Sequence, residues 1–270
     1  MNASVVELDG KRSRKVELPP AFETPRRPDL IRRAYWLVNS HHIQPKGRDP
    51  MAGMKTSAET NNPPTGRGIA RVPRVKGDRY SRSGQAAGIA SVVKGRLPHP
   101  PKAEKVVYLK INKKERRLAL ASAVAYTAHE DAVVSRGHRI KRLELPIVVS
   151  DDLESVSKTS ELVSLLEKVG LKEELQRLYD GVKRNSGQSR LRGRSYRERV
   201  GPLVIVTNDR GVGRTAQSIP GVEVTRVDSL NVLQLAPGGV PGRLTMWTES
   251  SLTALPPLQN NDNNNREKES

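Results

Sequence analysis

A chain of 270 residues with 47 Lys and Arg against 29 Asp and Glu carries a formal charge of +18, an excess that repels itself in a compact fold unless a polyanion offsets it. Hydrophobic residues make up 35% and aromatics 3%, with a single Phe, less than a uniformly packed globule carries, so part of the chain lies outside any core. The absence of cysteine excludes disulfides, thiolate metal sites and cysteine nucleophiles; no run of ~18 apolar residues offers a bilayer span, and the opening residues lack the order of a signal peptide, which leaves nucleic acid as the expected polyanion.

Residues 4–18, SVVELDGKRSRKVEL, set two short apolar alternations around Asp9-Gly10, and Asp-Gly supplies the positive φ of a tight hairpin turn. Pro19 and Pro20 close that hairpin. From Pro28, a proline in the first turn with Ile31, Ala34, Tyr35 and Val38 at helical spacing predicts a helix, with Arg32, Arg33 and Trp36 off its stripe. Residues 1–44 are thus read as the start of a globular domain.

Between 45 and 105 neither helical nor alternating periodicity persists, and prolines and glycines recur throughout. Lys46, Arg48, Lys55, Arg67, Arg71, Arg74, Lys76, Arg79, Arg82, Lys94, Arg96, Lys102 and Lys105 face only Asp49, Glu59, Asp78 and Glu104. A structureless stretch this long inside a compact protein is uncommon and is usually functional or disordered. At about 3.3 Å per residue, each arm of such a loop reaches at most roughly 100 Å. Its composition cannot bury enough apolar surface to offset the entropy of ordering, so it is expected to be poorly ordered alone and to fold on RNA. A solvated linker is the alternative that composition leaves open.

Asn112 with Glu115 three residues on predicts a capping box before KKERRLALASAVAYTA, where Leu118, Ala121, Ala125 and Ala128 share a face. LELPIVV (143–149) reads as a buried strand. SELVSLLEKVG follows as a helix, with Leu162, Leu165, Leu166 and Val169 inward and Gly170 as its stop; Leu175, Leu178, Tyr179 and Val182 mark another. A second basic stretch, 183–200, holds Lys183, Arg184, Arg190, Arg192, Arg194 and Arg197 around Tyr196, and its serines and glycines predict a surface loop. Then LVIVT (203–207), a short helix near 214–218, VEVTRV (222–227), a short helix near 229–235 and LTMWT (244–248) alternate. That rhythm predicts an α/β fold over 106–255: a mostly parallel sheet with helices on both faces, three layers in a Rossmann-like arrangement, with the basic loop inserted. Residues 256–270 are expected to form a disordered tail.

Three patterns are candidates for chemistry. Gly211-Val212-Gly213 after a strand could begin a phosphate-cradling turn, but the third glycine of that pattern is replaced by Ala216. Asp151-Asp152 ends a strand as metal-holding pairs do, without a third ligand at suitable spacing, so a helix cap is the simpler reading. His41, His42, His99, His129 and His138 form no metal-binding pair, and no nucleophile elbow is present. No enzyme, metal, cofactor or small-molecule substrate is expected. The basic stretches instead suit RNA, since Lys and Arg neutralise phosphates and release counterions while Gly and Pro let a backbone thread between helices. The candidate RNA contacts are the named cations of 45–102 together with His99, and Lys183, Arg184, Arg190, Arg192, Arg194 and Arg197.

Several phrases together carry a family resemblance: AGMKTSAE (52–59), GRGIARVPR (66–74), HPPKAEK (99–105), INKKERRLAL (111–120) and LNVLQLAPGGVPGRLTMWTESSL (230–252), with Phe22-Glu23-Thr24 and RPDLIRRA earlier. In this order they resemble large-subunit ribosomal protein four in its archaeal form, over nearly the whole chain. The resemblance implies a cytoplasmic structural constituent of the large ribosomal subunit that binds its ribosomal RNA and helps assembly. It further implies a long loop whose tip, here Thr65, Gly66, Arg67, Gly68, Ile69, Ala70 and Arg71, lines the polypeptide exit tunnel beside ribosomal protein twenty-two and the nascent polypeptide. An RNA-modifying enzyme using the β-α-β half for a nucleotide, and an RNA-binding regulator acting off the ribosome, are the alternatives.

Overall fold

A computed structural model describes residues 1–60, 65–79, 81–140 and 143–256. Its first elements are a hairpin of β1 (Asn2–Val6) and β2 (Arg12–Glu17), paired antiparallel and turned where Gly10 takes a φ of 81°. Next, α1 (Pro28–Asn39) starts on the predicted proline and buries Ile31 and Ala34. Beyond the basic segment come α2 (Lys113–Thr127), α3 (Glu130–Ser135), β3 (Ile147–Val149), α4 (Thr159–Val169) and α5 (Lys172–Asp180). A small ribbon follows: β4 (Lys183–Arg184), α6 (Gly187–Leu191) and β5 (Tyr196–Arg197). The chain then runs through β6 (Leu203–Val206), α7 (Val212–Ala216), β7 (Glu223–Arg226), α8 (Val232–Leu235), β8 (Thr245–Thr248) and α9 (Glu249–Thr253).

Six strands form one sheet in the order β2-β1-β3-β8-β6-β7, parallel at every pairing except β1 with β2, so the chain is a mixed α/β protein with a mostly parallel sheet. Strands β3, β6 and β8 are buried along their whole length, which is why β3 and β6 read as continuous apolar runs, while β8 buries Thr245 and Thr248 beside Met246 and Trp247. Side-chain alternation divides their residues between two apolar clusters. Val148, Ile205 and Trp247 join Ile31, Ala34, Val124 and Leu235, whereas Val149, Val204 and Met246 join Leu162, Leu166 and Leu178. Phe22 meets Trp247 edge-on at 5.5 Å, an arrangement that adds about 0.5–1.5 kcal/mol to the burial of both rings.

Several expectations change in detail. Asn112 does not cap α2 with its side chain, and Glu115, whose carboxylate would close the other half of a capping box, pairs with Arg33 at 3.0 Å. Leu118 is exposed while Ala119, Ser122, Ala123 and Val124 are buried; small side chains let α2 pack on several sides, so no single stripe marks its inner face. On α5 only Leu175 and Leu178 of the apolar set are buried, with Tyr179 and Val182 outside. The strand expected over 143–149 begins only at Ile147. The tail expected at 256–270 lies, from residue 257 on, outside the described residues.

The chain divides into two compact units: Met1–Asn39 with the chain from Lys110 on, and Ser40–Leu109. All the elements above belong to the first. The basic stretch 45–105 lies within the second.

Candidate nucleic-acid interface

In Ser40–Leu109, thirteen Lys and Arg oppose four acids, a formal +9, half the charge of the whole chain. Lys46, Arg48, Lys55, Arg67, Arg71, Arg74, Lys76, Arg79, Arg82, Lys94, Arg96, His99, Lys102 and Lys105 are all exposed. Among the described residues, the ion pairs of these cations are Lys55 with Asp49 at 2.6 Å and Lys76 with Glu59. Arg71 donates to Thr65 Oγ1 at 3.2 Å and Arg74 to the Gly84 carbonyl at 3.0 Å. Little on the unit itself therefore neutralises its charge.

What holds this unit is backbone rather than grease. Its buried hydrophobic residues are Val75 and Ala87, whereas Met51, Ile69, Val93, Leu97 and Val106 are exposed, Val93 by 84%. Glu59 and Arg74 exchange both backbone hydrogen bonds at 3.2 Å, Val75 N–H reaches the Gln85 carbonyl at 2.9 Å, and Arg48 N–H reaches Pro101 at 3.1 Å. Gly53 lies so close to the Gly95–Arg96 backbone that any Cβ there would collide with it. Gly66 and Gly68, within the exposed stretch Thr65–Arg71, have φ of 93° and 66°, and a Cβ on either would meet nothing; their need for glycine is conformational. Lys94 is the one described non-glycine residue with positive φ, at 60°, a left-handed conformation that costs a side-chain-bearing residue about 1–2 kcal/mol.

The second basic stretch is built differently. Expected as a loop, it is a two-stranded ribbon with Lys183 opposite Arg197 and Arg184 opposite Tyr196, extended by Asn185 N–H to the Ser195 carbonyl at 2.9 Å and by Asn185 Nδ2 to Arg194 at 2.9 Å. Strands of two residues are too short for alternation to reveal. Lys183, Arg184, Arg190, Arg192, Arg194 and Arg197 are exposed, as is Arg199, which the sequence pattern does not single out. Seven cations and one acid give residues 183–199 a formal +6.

Buried charge roots this ribbon in the α/β unit. Fully buried Glu174 accepts from Arg177 Nε at 2.8 Å and Nη2 at 2.5 Å, and its two oxygens also take His138 Nδ1 at 2.6 Å and Arg139 N–H at 2.8 Å. Arg177 Nη2 then donates to the Val200 carbonyl at 2.8 Å, and Arg243, 1% exposed, donates from Nε to Gly201 at 2.8 Å. Two guanidiniums thus grip consecutive carbonyls where the ribbon re-enters the sheet. Although burial opposes the charged carboxylate, hydrogen bonds from Arg177 and His138 hold the Glu174 carboxyl at about 2. The Leu244 N–H points at His138 Nε2, 3.3 Å away, so the imidazole carries its proton on Nδ1 and stays neutral, and burial keeps its pKa below the ordinary value. The Glu174/Arg177 spacing of three on a helix was legible in sequence; their partner His138 was not.

The candidate catalytic patterns are occupied by the chain itself. In the Gly211-Val212-Gly213 turn, the Gly211 and Gly213 N–H groups each donate to Asp209 Oδ1 at 3.0 Å, which lowers that carboxyl below its usual range. A phosphate would have to displace an anion already seated there. Asp151 Oδ1 accepts from the Ser250 N–H and hydroxyl, each at 2.8 Å, and so caps α9. Glu154 takes the Thr207 and Asn208 N–H groups at 2.8 and 3.2 Å beyond the end of β6, where ligands enter doubly wound folds. Among the described residues no three His, Asp or Glu converge as a metal site, and no helix is long and apolar enough to cross a membrane.

Comparison with known proteins places these features in a family. Residues 16–256 match the model of the ribosomal protein L4/L1 family. A protein of Methanosphaera stadtmanae named large ribosomal subunit protein uL4 is 43% identical over 253 residues, covering 93% of this chain and 95% of its own length. Proteins of the same name from Methanocaldococcus jannaschii and Natronomonas pharaonis are 41% and 44% identical, over 94% of this chain and 98% and 99% of theirs.

Proposed function

The chain belongs to the ribosomal protein L4/L1 family, and from that premise we propose that it is a structural constituent of the large ribosomal subunit in the cytoplasm, not an enzyme, and that it binds large-subunit ribosomal RNA and helps assembly. One observation carries the RNA reading: the 40–109 unit and the 183–199 ribbon hold +15 of the chain's +18, while the remaining 183 residues, with 27 Lys and Arg against 24 acids, carry +3. Charge concentrated on surfaces with almost no core of their own is the pattern of phosphate neutralisation. Stretch 45–105 is then the RNA-penetrating loop, with Lys46, Arg48, Lys55, Arg67, Arg71, Arg74, Lys76, Arg79, Arg82, Lys94, Arg96, His99 and Lys102 on RNA. Thr65, Gly66, Arg67, Gly68, Ile69, Ala70 and Arg71 form the tip that lines the exit tunnel beside ribosomal protein twenty-two and the nascent chain. The two apolar clusters against the sheet support a Rossmann-like, three-layer reading of the α/β part.

A nucleotide-dependent RNA-modifying role is the weaker reading, since Asp209 and Glu154 occupy the N–H groups such a cofactor would need. Two measurements test the proposal. Binding to deproteinised large-subunit RNA should fall by roughly 10³–10⁵ between 50 and 200 mM salt if about 6–10 phosphates are contacted. In sucrose gradients the protein should stay with the large subunit through high-salt washing; free sedimentation would favour an off-ribosome regulator.

A further inference from the structure

The β4–β5 ribbon has two chemically different faces. Opposed residues of an antiparallel pair project to the same side, with Cβ atoms about 4.5–5.5 Å apart, and neighbours along a strand project to opposite sides. Arg184 and Tyr196 therefore share one face, while Lys183 and Arg197 share the other. The Tyr196 side carries an aromatic residue and an arginine, and the opposite side carries charge alone. Tyr196 is 61% exposed, and among the described residues its ring meets no other ring or cation.

An exposed tyrosine is commonplace on a surface, but this one stands among seven cations on a segment whose shape is set before any ligand arrives. The ladder through Asn185 and the grips of Arg177 on Val200 and Arg243 on Gly201 fix its root, so little ordering cost remains for binding. A duplex offers phosphates yet hides its base faces; only an unpaired nucleotide presents a π-face to stack and a phosphate to bind together. An acidic peptide would satisfy the charge but leave the ring without a partner.

We propose that the ribbon is a preformed docking site for an unpaired RNA nucleotide, whose base stacks on Tyr196 and whose phosphate is held by Arg184, while Lys183 and Arg197 take RNA backbone on the other face. This rests on the RNA-binding reading above and adds to it a base-stacking contact on the α/β unit.

The test measures binding of the full chain to deproteinised large-subunit ribosomal RNA across a salt series. Tyr196→Ala should weaken binding about 5- to 150-fold, the range for loss of one base–aromatic stack, without changing the slope of log affinity against log salt. Tyr196→Phe should bind like wild type. The double variant Lys183→Ala/Arg197→Ala should instead flatten that slope by roughly 1 for each phosphate left unneutralised. Tyr196 is exposed, so thermal unfolding of its variants should match wild type. If the wild type binds and Tyr196→Ala is indistinguishable from it, the stacking site is wrong while the family-based reading stands. If Tyr196→Phe is as weak as the alanine variant, or Tyr196→Ala flattens the slope, the ring acts through its hydroxyl or through charge and the proposal also fails. No wild-type binding at any salt would overturn this inference and the RNA-binding reading together.

Discussion

The 40–109 unit and the 183–199 ribbon share a sign of charge and little else. The first spreads +9 over seventy residues with Val75 and Ala87 as its buried hydrophobics, and its backbone contacts run through glycines where side chains would otherwise pack. The second concentrates +6 in seventeen residues and hangs from buried Glu174 and Arg243 and half-buried Arg177 of the α/β unit. A basic segment's composition therefore says what it attracts, whereas its attachment to a core says whether it has a shape to offer beforehand. In this protein the ribbon borrows stability from the fold, and on the proposed function the 40–109 unit would take its stability from the RNA.

The largest test of that contrast is to cut the ribbon's root. Glu174→Ala leaves Arg177 and His138 facing each other without the carboxylate and should destabilise the α/β unit by about 3–5 kcal/mol, the cost of breaking a buried pair, read from urea unfolding. It should also erase the effect of Tyr196→Ala on RNA affinity, while leaving the contribution of the 40–109 unit in place.

Acid acts on the same root more gradually. His138 has a folded pKa below its ordinary 6.5 and Glu174 one below its ordinary 4.5, at about 2. In both cases the unfolded chain binds the proton more readily, so their stabilisation is complete above about pH 6.5 and is lost as pH falls through the folded values. The urea midpoint should decline below about pH 6.5 and decline further between about 4.5 and 2. A midpoint that rises on acidification would contradict the assigned tautomer and carboxylate.

On the other region, the triple variant Arg67→Ala/Arg71→Ala/Arg74→Ala should flatten the salt dependence of RNA binding by roughly 1 for each phosphate it ceases to neutralise. Exposed side chains contribute within about 0.5 kcal/mol to stability, so its unfolding midpoint should not move. The smallest effect concerns Lys94, held at a φ of 60° in the turn where Gly95 N–H meets the Val92 carbonyl at 3.0 Å. Lys94→Gly removes about 1–2 kcal/mol of backbone strain, offset in part by glycine's added chain entropy. Amide exchange at Gly95 should slow slightly even as RNA affinity drops by one cation's worth.

Much of the α/β unit was legible in sequence because its cues were local. Asp9-Gly10 turns a hairpin, Pro28 opens α1, and Gly170 stops α4 with a φ of 102°. The failures have long-range causes. Asn112 and Glu115 spell a capping box, but Arg33, far off in the chain, takes the glutamate. On α2 the alanines bury themselves on several sides, so Leu118 falls outside. In the candidate site, charge and exposure agreed at every named cation, since a Lys or Arg without an acidic partner stays in water. The register that pairs Arg184 with Tyr196, and the buried groups beneath it, depend on residues brought together from α5, the 136–140 turn and β8's approach. No window along the chain contains them all.

Amide hydrogen exchange on the purified full chain, with and without large-subunit RNA, reads the order of both regions at once. Protection should be strong in β3, β6 and β8 in both states, and weak at 45–60 and 81–105 until added RNA raises it by orders of magnitude. Protection of 45–60 and 81–105 in the free protein equal to that of the sheet, unchanged by RNA, would contradict folding on RNA.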